Sequence, residues 1–312
     1  MKKSLFERVS RFLALVIIFA ILTAAIGPRF LQARNLLNIL NQASLNVLIA
    51  SGLTLTMLIS GVDLSVGSTV ALTTCLTASM FQSGSFVEMG IGIVAALVLG
   101  FIIGMINGAI VTFIGMPPFL VTFGTQQIIR GLAYLHMDGT ILNKFDSRFL
   151  FLGKGSLLGI PVPVIIAAVM VLILSFVLKK CTIGRQLYYV GVNRSSAKYS
   201  GISIHKITLF AFGMSGFMAA LAGVLYIARL DAAEPLIGEA FPLQAIAASA
   251  IGGISYKGGS GKVSYTVIGA LILTLIINGM NQLGIPTQWQ NLVTGAVIII
   301  AVLLDRQNIQ TK

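Results

Sequence analysis

The chain is a succession of long apolar runs broken by short basic segments, and that pattern leaves few folds open. About 20 apolar residues in helical form cross the hydrocarbon core of a bilayer, where a helix satisfies its own backbone polar groups. Ten such runs are found, at residues 11–27, 45–60, 66–82, 90–114, 118–135, 161–179, 207–228, 241–254, 263–280 and 288–304. Only 10% of the residues are charged and 56% are hydrophobic, whereas soluble domains carry roughly a quarter charged residues. The expected fold is an all-α membrane protein, a polytopic bundle of about ten helices forming one transmembrane domain over 1–312. The second, third and eighth runs are short and abut Gly-rich breaks, so broken or re-entrant pieces are expected there. The fifth, TFGTQQIIRGLAYLH, is too polar to face lipid and is expected to be shielded inside the bundle.

The net charge of +12 would suggest nucleic acid in a soluble protein. Here the basic residues lie mainly between apolar runs, where they set topology, so no nucleic-acid partner is expected. Ten spans put both termini on one side. If that side is the cytoplasm, fourteen of the 21 Lys and Arg residues fall inside, six fall outside, and Arg130 lies within a span. The positive-inside rule therefore gives cytoplasmic termini. Eight spans with two re-entrant loops satisfy the same count. The start, MKKSLFERVSRFLALVIIFAIL, has a basic n-region but no convincing cleavage site, and reads as an uncleaved first helix. The longest polar loops, 180–206 inside and 136–160 outside, are too short for a second soluble domain.

Cys75 and Cys181 form no CxxC pattern, and His136 and His205 are far apart, so no metal site is expected. No Ser/His, acid-pair or metal constellation supports an intramembrane enzyme. The stretch GGISYKGGSGKVS suggests a phosphate-binding loop at first sight. Such a loop reads G-x-x-x-x-G-K-[ST] between a strand and a helix. Here Tyr256 stands where the first Gly must be, Val263 replaces the Ser or Thr, and both flanks are membrane segments. Gly252, Gly253, Gly258, Gly259 and Gly261 are instead read as a tight break where backbone passes close to neighbouring helices.

Three further segments carry information. In SGVDLSVGSTVAL, Asp63 lies between two apolar runs, where a carboxylate is costly unless paired or hydrated. Asp63 or Ser65 caps the next helix, or the acid takes a direct part in gating; both readings stand. After Pro117-Pro118, the fifth run combines Phe119, Thr122, Thr125, Gln126, Gln127 and Arg130. Hydrogen-bonding groups among aromatics suit a neutral polyol, and they equally suit a helix whose polar groups satisfy one another. Asn107 and Asn278, each followed by Gly, are the remaining pathway candidates, alongside Asp63, Ser65, Phe119, Thr122 and Gln126. In GRQLYYVGVNRSSAKYSGISIHKITLF, Asn193 is the N-cap of a short helix over Ser195–Tyr199, and Gly201 is its stop. Its small residues Ser195, Ser196, Ala197 and Ser200 suit docking into a protein groove; the polybasic loop also suits lipid headgroups.

GVDLSVGS, the NG…PPF…T-x-G…RG run, GRQ…VGVNRSSAKYSGI, AIAASAIGGIS…GGSG and NGMNQLGIPTQWQNLVTGAVIIIAV follow one another over about residues 30 to 304. In combination they resemble the permease subunit of ribose-type ABC importers, which carry monosaccharides into bacteria. The resemblance implies a multi-pass inner-membrane protein that pairs with a second permease copy or paralogue. It also implies a cytoplasmic ATPase subunit that binds the ATP and Mg, leaving this chain no cofactor, and a periplasmic or lipid-anchored sugar-binding protein. The family's coupling helix is matched by Gly191, Asn193, Ala197, Lys198, Ser200, Gly201 and Ile202, with Ser196 in place of an Ala. Residues Asn193, Arg194, Ser195, Ser196, Ala197, Lys198, Tyr199, Ser200 and Gly201 are therefore expected to couple to the ATPase.

The chain departs from the family's pattern at Ser60, at Tyr265, and in Phe241-Pro242-Leu243-Gln244, where relatives often have an aromatic-Glu-Leu-Asp run. Gln244 removes an acid near the external side, which bears on the substrate or the partner permease. Nucleosides and autoinducer furanones are alternative solutes. An ion-coupled secondary transporter is a second class, supported by Asp63 alone.

Overall fold

The computed structural model describes residues 2–81 and 85–310. Gln82, the last residue of the third expected span, and Lys312 lie outside the described residues, as do the side chains of Lys2, Lys3, Arg8 and Arg306, which entered the topological count. The helices are α1 (Lys2–Ile26), α2 (Ala33–Leu58), α3 (Val66–Met80), α4 (Phe86–Ala109), α5 (Pro118–Met137), α6 (Ser147–Lys154), α7 (Val162–Lys180), α8 (Thr182–Val192), α9 (Arg194–Tyr199), α10 (Ile204–Leu230), α11 (Phe241–Ile251), α12 (Val263–Gln282) and α13 (Thr287–Gln310). Every apolar run read from the sequence falls on one of them. Among the described residues, six helices are long and apolar enough to cross a membrane: α1, α2, α4, α7, α10 and α12. α3 and α11 are shorter apolar helices.

One expectation fails and another holds in part. The second run is no half-helix, because α2 extends over 26 residues. Its first half, ARNLLNILNQAS, is rich in amides and is nonetheless fully helical. α5 is shielded within the chain only in part. It packs mainly on α3 and buries Val121, Thr122, Ile129, Ala133 and Met137. Thr125, Gln126 and Arg130 are half-buried, while Phe119, Leu120, Phe123, Gln127 and Ile128 are exposed, so the open face of α5 is largely apolar.

Punctuation residues set the breaks. A π-helical turn, Ile110–Ile114, ends α4, and Gly115 takes the left-handed conformation (φ +79°) that lets the chain reverse. Pro118 then opens α5, since its fixed φ suits a first helical turn and its missing N–H is no loss there. Asp138 and Asp231 end α5 and α10 in left-handed conformations.

α2 and α10 form the centre, with α3, α4, α11 and α12 packed around them. Without a strong hydrophobic drive between helices in lipid, close backbone approach over small residues holds such pairs. The α4–α10 crossing depends on it. A Cβ added at Gly104 would lie 2.0 Å from the Phe212 carbonyl oxygen, and one at Gly216 would lie 2.0 Å from that of Gly100. The outer faces of α4 (Val94, Val98, Ile102) and α7 (Leu172, Ile173, Phe176) are exposed and apolar, as a lipid-facing surface requires.

The bundle has two distinct ends. At one, the terminus of α2 meets α8 and the loop before α12: Gly259 N–H donates to the Leu58 carbonyl at 2.8 Å, and Gly191 of α8 lies against the same carbonyl. At the other, β1 (Leu142–Asn143) pairs antiparallel with β4 (Ala232–Ala233), Leu142 opposite Ala233. There β2 (Ser156–Leu157) also pairs with β3 (Ile160–Pro161). α6 covers this second end, capped by Asp146, whose carboxylate accepts from Arg148 N–H at 2.8 Å. The Arg148 side chain and amide hold the Asp146 carboxyl down at about 2.

Candidate functional site

The α9 end is assembled from short-range signals. Asn193 accepts a 2.9 Å hydrogen bond from Ser196 N–H through its side-chain oxygen, satisfying an orphan amide of the first turn. The helix runs Arg194–Tyr199, one residue earlier than the sequence suggests. Gly201 turns the chain at φ +77°, and Ile202 N–H closes on the Ala197 carbonyl at 3.0 Å. One expectation is corrected here. Ala197 was read as part of the docking face, yet it is buried against its own chain. A helix of six residues has room for one inward position, and Ala197 takes it. Arg194, Ser195, Ser196, Lys198, Tyr199 and Ser200 face outward, with Tyr199 91% exposed.

The glycine-rich loop packs against the end of α8, which leads into this helix. Gly253, Gly258, Gly259 and Gly261 all have positive φ. A Cβ at Gly258 would strike Ser60, and one at Gly259 would strike Val192. Gly252 faces the Tyr265 carbonyl, 2.7 Å from where its Cβ would stand. Ser60 Oγ donates to the Lys257 carbonyl at 2.6 Å and Tyr188 Oη to that of Gly261 at 2.8 Å. α2, α8 and the loop are therefore pinned together, and α9 follows α8 after one residue. Arg11 of α1 adds a cation–π contact, 4.5 Å over the Tyr265 ring. Tyr265, where this chain departs from its resemblance, thereby serves α1.

Asp63, Ser65 and Asn107 form one buried relay. Ser65 donates to Asp63 Oδ1 through its amide at 3.0 Å and its hydroxyl at 2.6 Å. Asn107 Nδ2 donates to Ser65 Oγ at 2.8 Å. Thr122 joins the same link by donating to the Val62 carbonyl at 3.0 Å. All four residues are buried, so α4 and α5 are both tied to the turn between α2 and α3. Asp63 Oδ2 and Asn107 Oδ1 make no hydrogen bond among the described residues. No cation pairs with Asp63 among the described residues.

The remaining pathway candidates lie elsewhere. Phe119 is on the open face of α5, stacked on Phe123 with ring centroids 6.2 Å apart. Gln126 is half-buried further along α5. Arg130 on α5 donates through Nη1 to the carbonyls of Pro235 and, at 2.7 Å, Ile237. This ties α5 to the segment leading into α11. Asn278 is at the other end, accepting from Gln282 Nε2 at 3.1 Å. Beside it a polar cavity of about 610 Å³ is lined by Arg29, Gln32, Arg34, Asn35, Asn38 and Gln282. No group of three His, Cys, Asp or Glu that could hold a metal ion occurs among the described residues.

Two features escaped the sequence reading. Gly100, Gly104 and Gly108 recur at four-residue spacing, the small-xxx-small signal of helix pairs in membranes, and they form the α4–α10 seam. The amides Asn35, Asn38, Gln42 and Asn46 repeat every three or four residues and line one face of α2. Both signals were periodic, and both were obscured by treating the segments only as apolar spans.

Known proteins bear on this arrangement. The family model described as branched-chain amino acid transport system / permease component matches residues 35–302. The chain is 41% identical to the ribose import permease protein RbsC of Haemophilus influenzae, over 94% of this chain and 91% of that one. It is 40% identical to the D-allose transport system permease protein AlsC of Escherichia coli, over 96% and 92%. It is 30% identical to the xylose transport system permease protein XylH of Haemophilus influenzae, over 95% of each chain. No solved structure matches. The resemblance drawn from the sequence motifs is thus met at the level of the family. The chain is a multi-pass inner-membrane transport component rather than an enzyme, and it belongs to the branched-chain amino acid transport system / permease component family.

Proposed function

We propose that this chain is the permease subunit of an ATP-driven importer that moves a monosaccharide, ribose or a close relative, by alternating access. The observation that carries the reading is α9: a capped, outward-facing helix joined through α8 and the glycine loop to the end of α2. A rigid connection of that kind transmits movement of a seated partner into the membrane helices. The names of the relatives, ribose, allose and xylose permeases, supply the substrate class.

In this reading the ten helices that match the apolar runs form a single domain over 1–312, with both termini and α9 in the cytoplasm. ATP and Mg belong to the partner ATPase. The open face of α5 meets a second permease copy or paralogue, which covers Phe119, Leu120, Phe123 and Ile128 together with the exposed amide of Gln127. Phe119, Thr122 and Gln126 then border the pathway, gated at the α9 end by the Asp63–Ser65–Asn107 link. The cavity bearing Arg29 and Arg34 faces a sugar-binding protein, which docks through acidic side chains. The lipid bilayer covers α4 and α7.

The test is reconstitution of the chain in proteoliposomes with its ATPase and binding protein. ATP-dependent accumulation of labelled ribose, allose or xylose is expected, and the chain alone neither binds nor hydrolyses ATP. Accumulation driven by an ion gradient without ATP contradicts the reading.

A further inference from the structure

A second cavity, about 270 Å³ and partly open to the outside of the chain, lies between α2, α10, α11 and α12. It is separate from the open face of α5. Gln42 and Asn46 of α2, Tyr226 and Arg229 of α10, and Phe241 and Gln244 of α11 line it. The Tyr226 and Phe241 rings meet edge to face, with centroids 5.4 Å apart. The geometry points to a binding site here for a neutral, monosaccharide-sized polyol. This inference rests on the sugar-importer reading and adds a substrate site within each permease chain.

The chemistry of the walls selects that ligand class. A polyol needs amides or carboxylates for its hydroxyls and an aromatic surface for its C–H face. Both are present, and no carboxylate lines the cavity, which disfavours an amine or metal cation. The one cation, Arg229, already donates to Asn38 Oδ1 at 3.0 Å. The volume falls below the roughly 300–1,000 Å³ that drug-sized ligands occupy, which suits a single sugar ring.

The polar groups are not there merely to pair helices. Asn46 Nδ2 donates to Thr274 Oγ1 at 3.0 Å and so is satisfied within the chain. The side-chain amides of Gln42 and Gln244 make no hydrogen bond among the described residues and stand free for a ligand. Asn38, which accepts from Arg229, lines the outer basic cavity, so the two spaces share this contact. Gln244 is the position at which the resemblance leads one to expect an acid, so an amide here is this chain's own adjustment of the cavity.

The test uses Gln244→Cys in a chain carrying Cys75→Ala and Cys181→Ala, assembled with its ATPase and binding protein in membrane vesicles. A membrane-impermeant thiol reagent applied from the outer side reports access, with ribose, allose or xylose as protectant. A transported sugar at ten times its dissociation constant is expected to slow labelling about tenfold, because only the free fraction reacts. In the Cys-free chain, changing Gln42 and Gln244 together to Leu is expected to lower uptake about tenfold, equivalent to roughly 1.4 kcal/mol. Binding-protein affinity and ATPase stimulation by the empty binding protein stay unchanged. Unprotected labelling by a sugar that the same assembly imports overturns the site and leaves the importer reading standing. An assembly that imports none of the three sugars overturns the importer reading, and this site with it.

Discussion

The amide of Gly259 donates a 2.8 Å hydrogen bond to the carbonyl of Leu58, joining a loop before α12 to the last turn of α2 across about 200 residues of sequence. Gly191 of α8 closes over the same carbonyl, where an added Cβ would lie 1.8 Å from the Leu58 oxygen. Three elements thus meet at one backbone group, and only glycine fits there. Gly191→Ala is expected to destabilise the assembled protein by about 1–3 kcal/mol through overpacking. The check is thermal unfolding of the detergent-solubilised protein beside ATP-driven uptake. An unchanged melting profile with full uptake removes the junction from the account.

Asp63 tests whether a buried carboxyl acts by shape or by charge. Its Oδ1 accepts both Ser65 bonds, and an amide oxygen does the same. Asp63→Asn is therefore expected to keep expression and most transport. Asp63→Leu orphans the Ser65 amide and hydroxyl and is expected to cost about 1–3 kcal/mol for each buried group left unpaired. Uptake and size-exclusion profiles separate the two. Loss of uptake in a well-assembled Asn variant assigns the work to the charge instead.

Arg130 holds two carbonyls of the segment before α11 with one guanidinium nitrogen. Lysine keeps the charge but replaces the planar, pre-organised guanidinium with a compact ammonium on a flexible stem. Arg130→Lys is expected to weaken the tie by about 1.5–3 kcal/mol, the range for hydrogen bonds to charged groups. Uptake falls, while binding-protein-independent ATPase activity is retained. Spin labels at Gly124 on α5 and Leu236 in the segment report the link. An unchanged distance distribution in the Lys variant counts against it.

The positions of the membrane helices were legible because hydropathy and glycine breaks are local. Asn193 and Gly201 were legible for the same reason, since caps and stops act within one turn. α2 was underread because its first half is rich in amides, which lower its hydropathy without stopping the helix. The inward position of Ala197 was invisible, because in a helix of one and a half turns no periodicity distinguishes inside from outside. Its small size reflects a tight seat against its own chain. The polar face of α5 was recognised as unfit for lipid, but a single sequence does not say whether the same chain or another covers it.

The central claim is that the outward face of α9 is where force from an ATPase enters this permease. Ser196 is exposed on that face, one residue from buried Ala197. Ser196→Cys, in a chain with Cys75→Ala and Cys181→Ala, is paired with single cysteines introduced along the ATPase groove and oxidised in native membranes. The account predicts a disulfide-linked permease–ATPase product that blocks ATP-driven uptake and releases it on reduction. Labelling of that cysteine from outside intact cells, with no linked product, contradicts both the orientation and the mechanism.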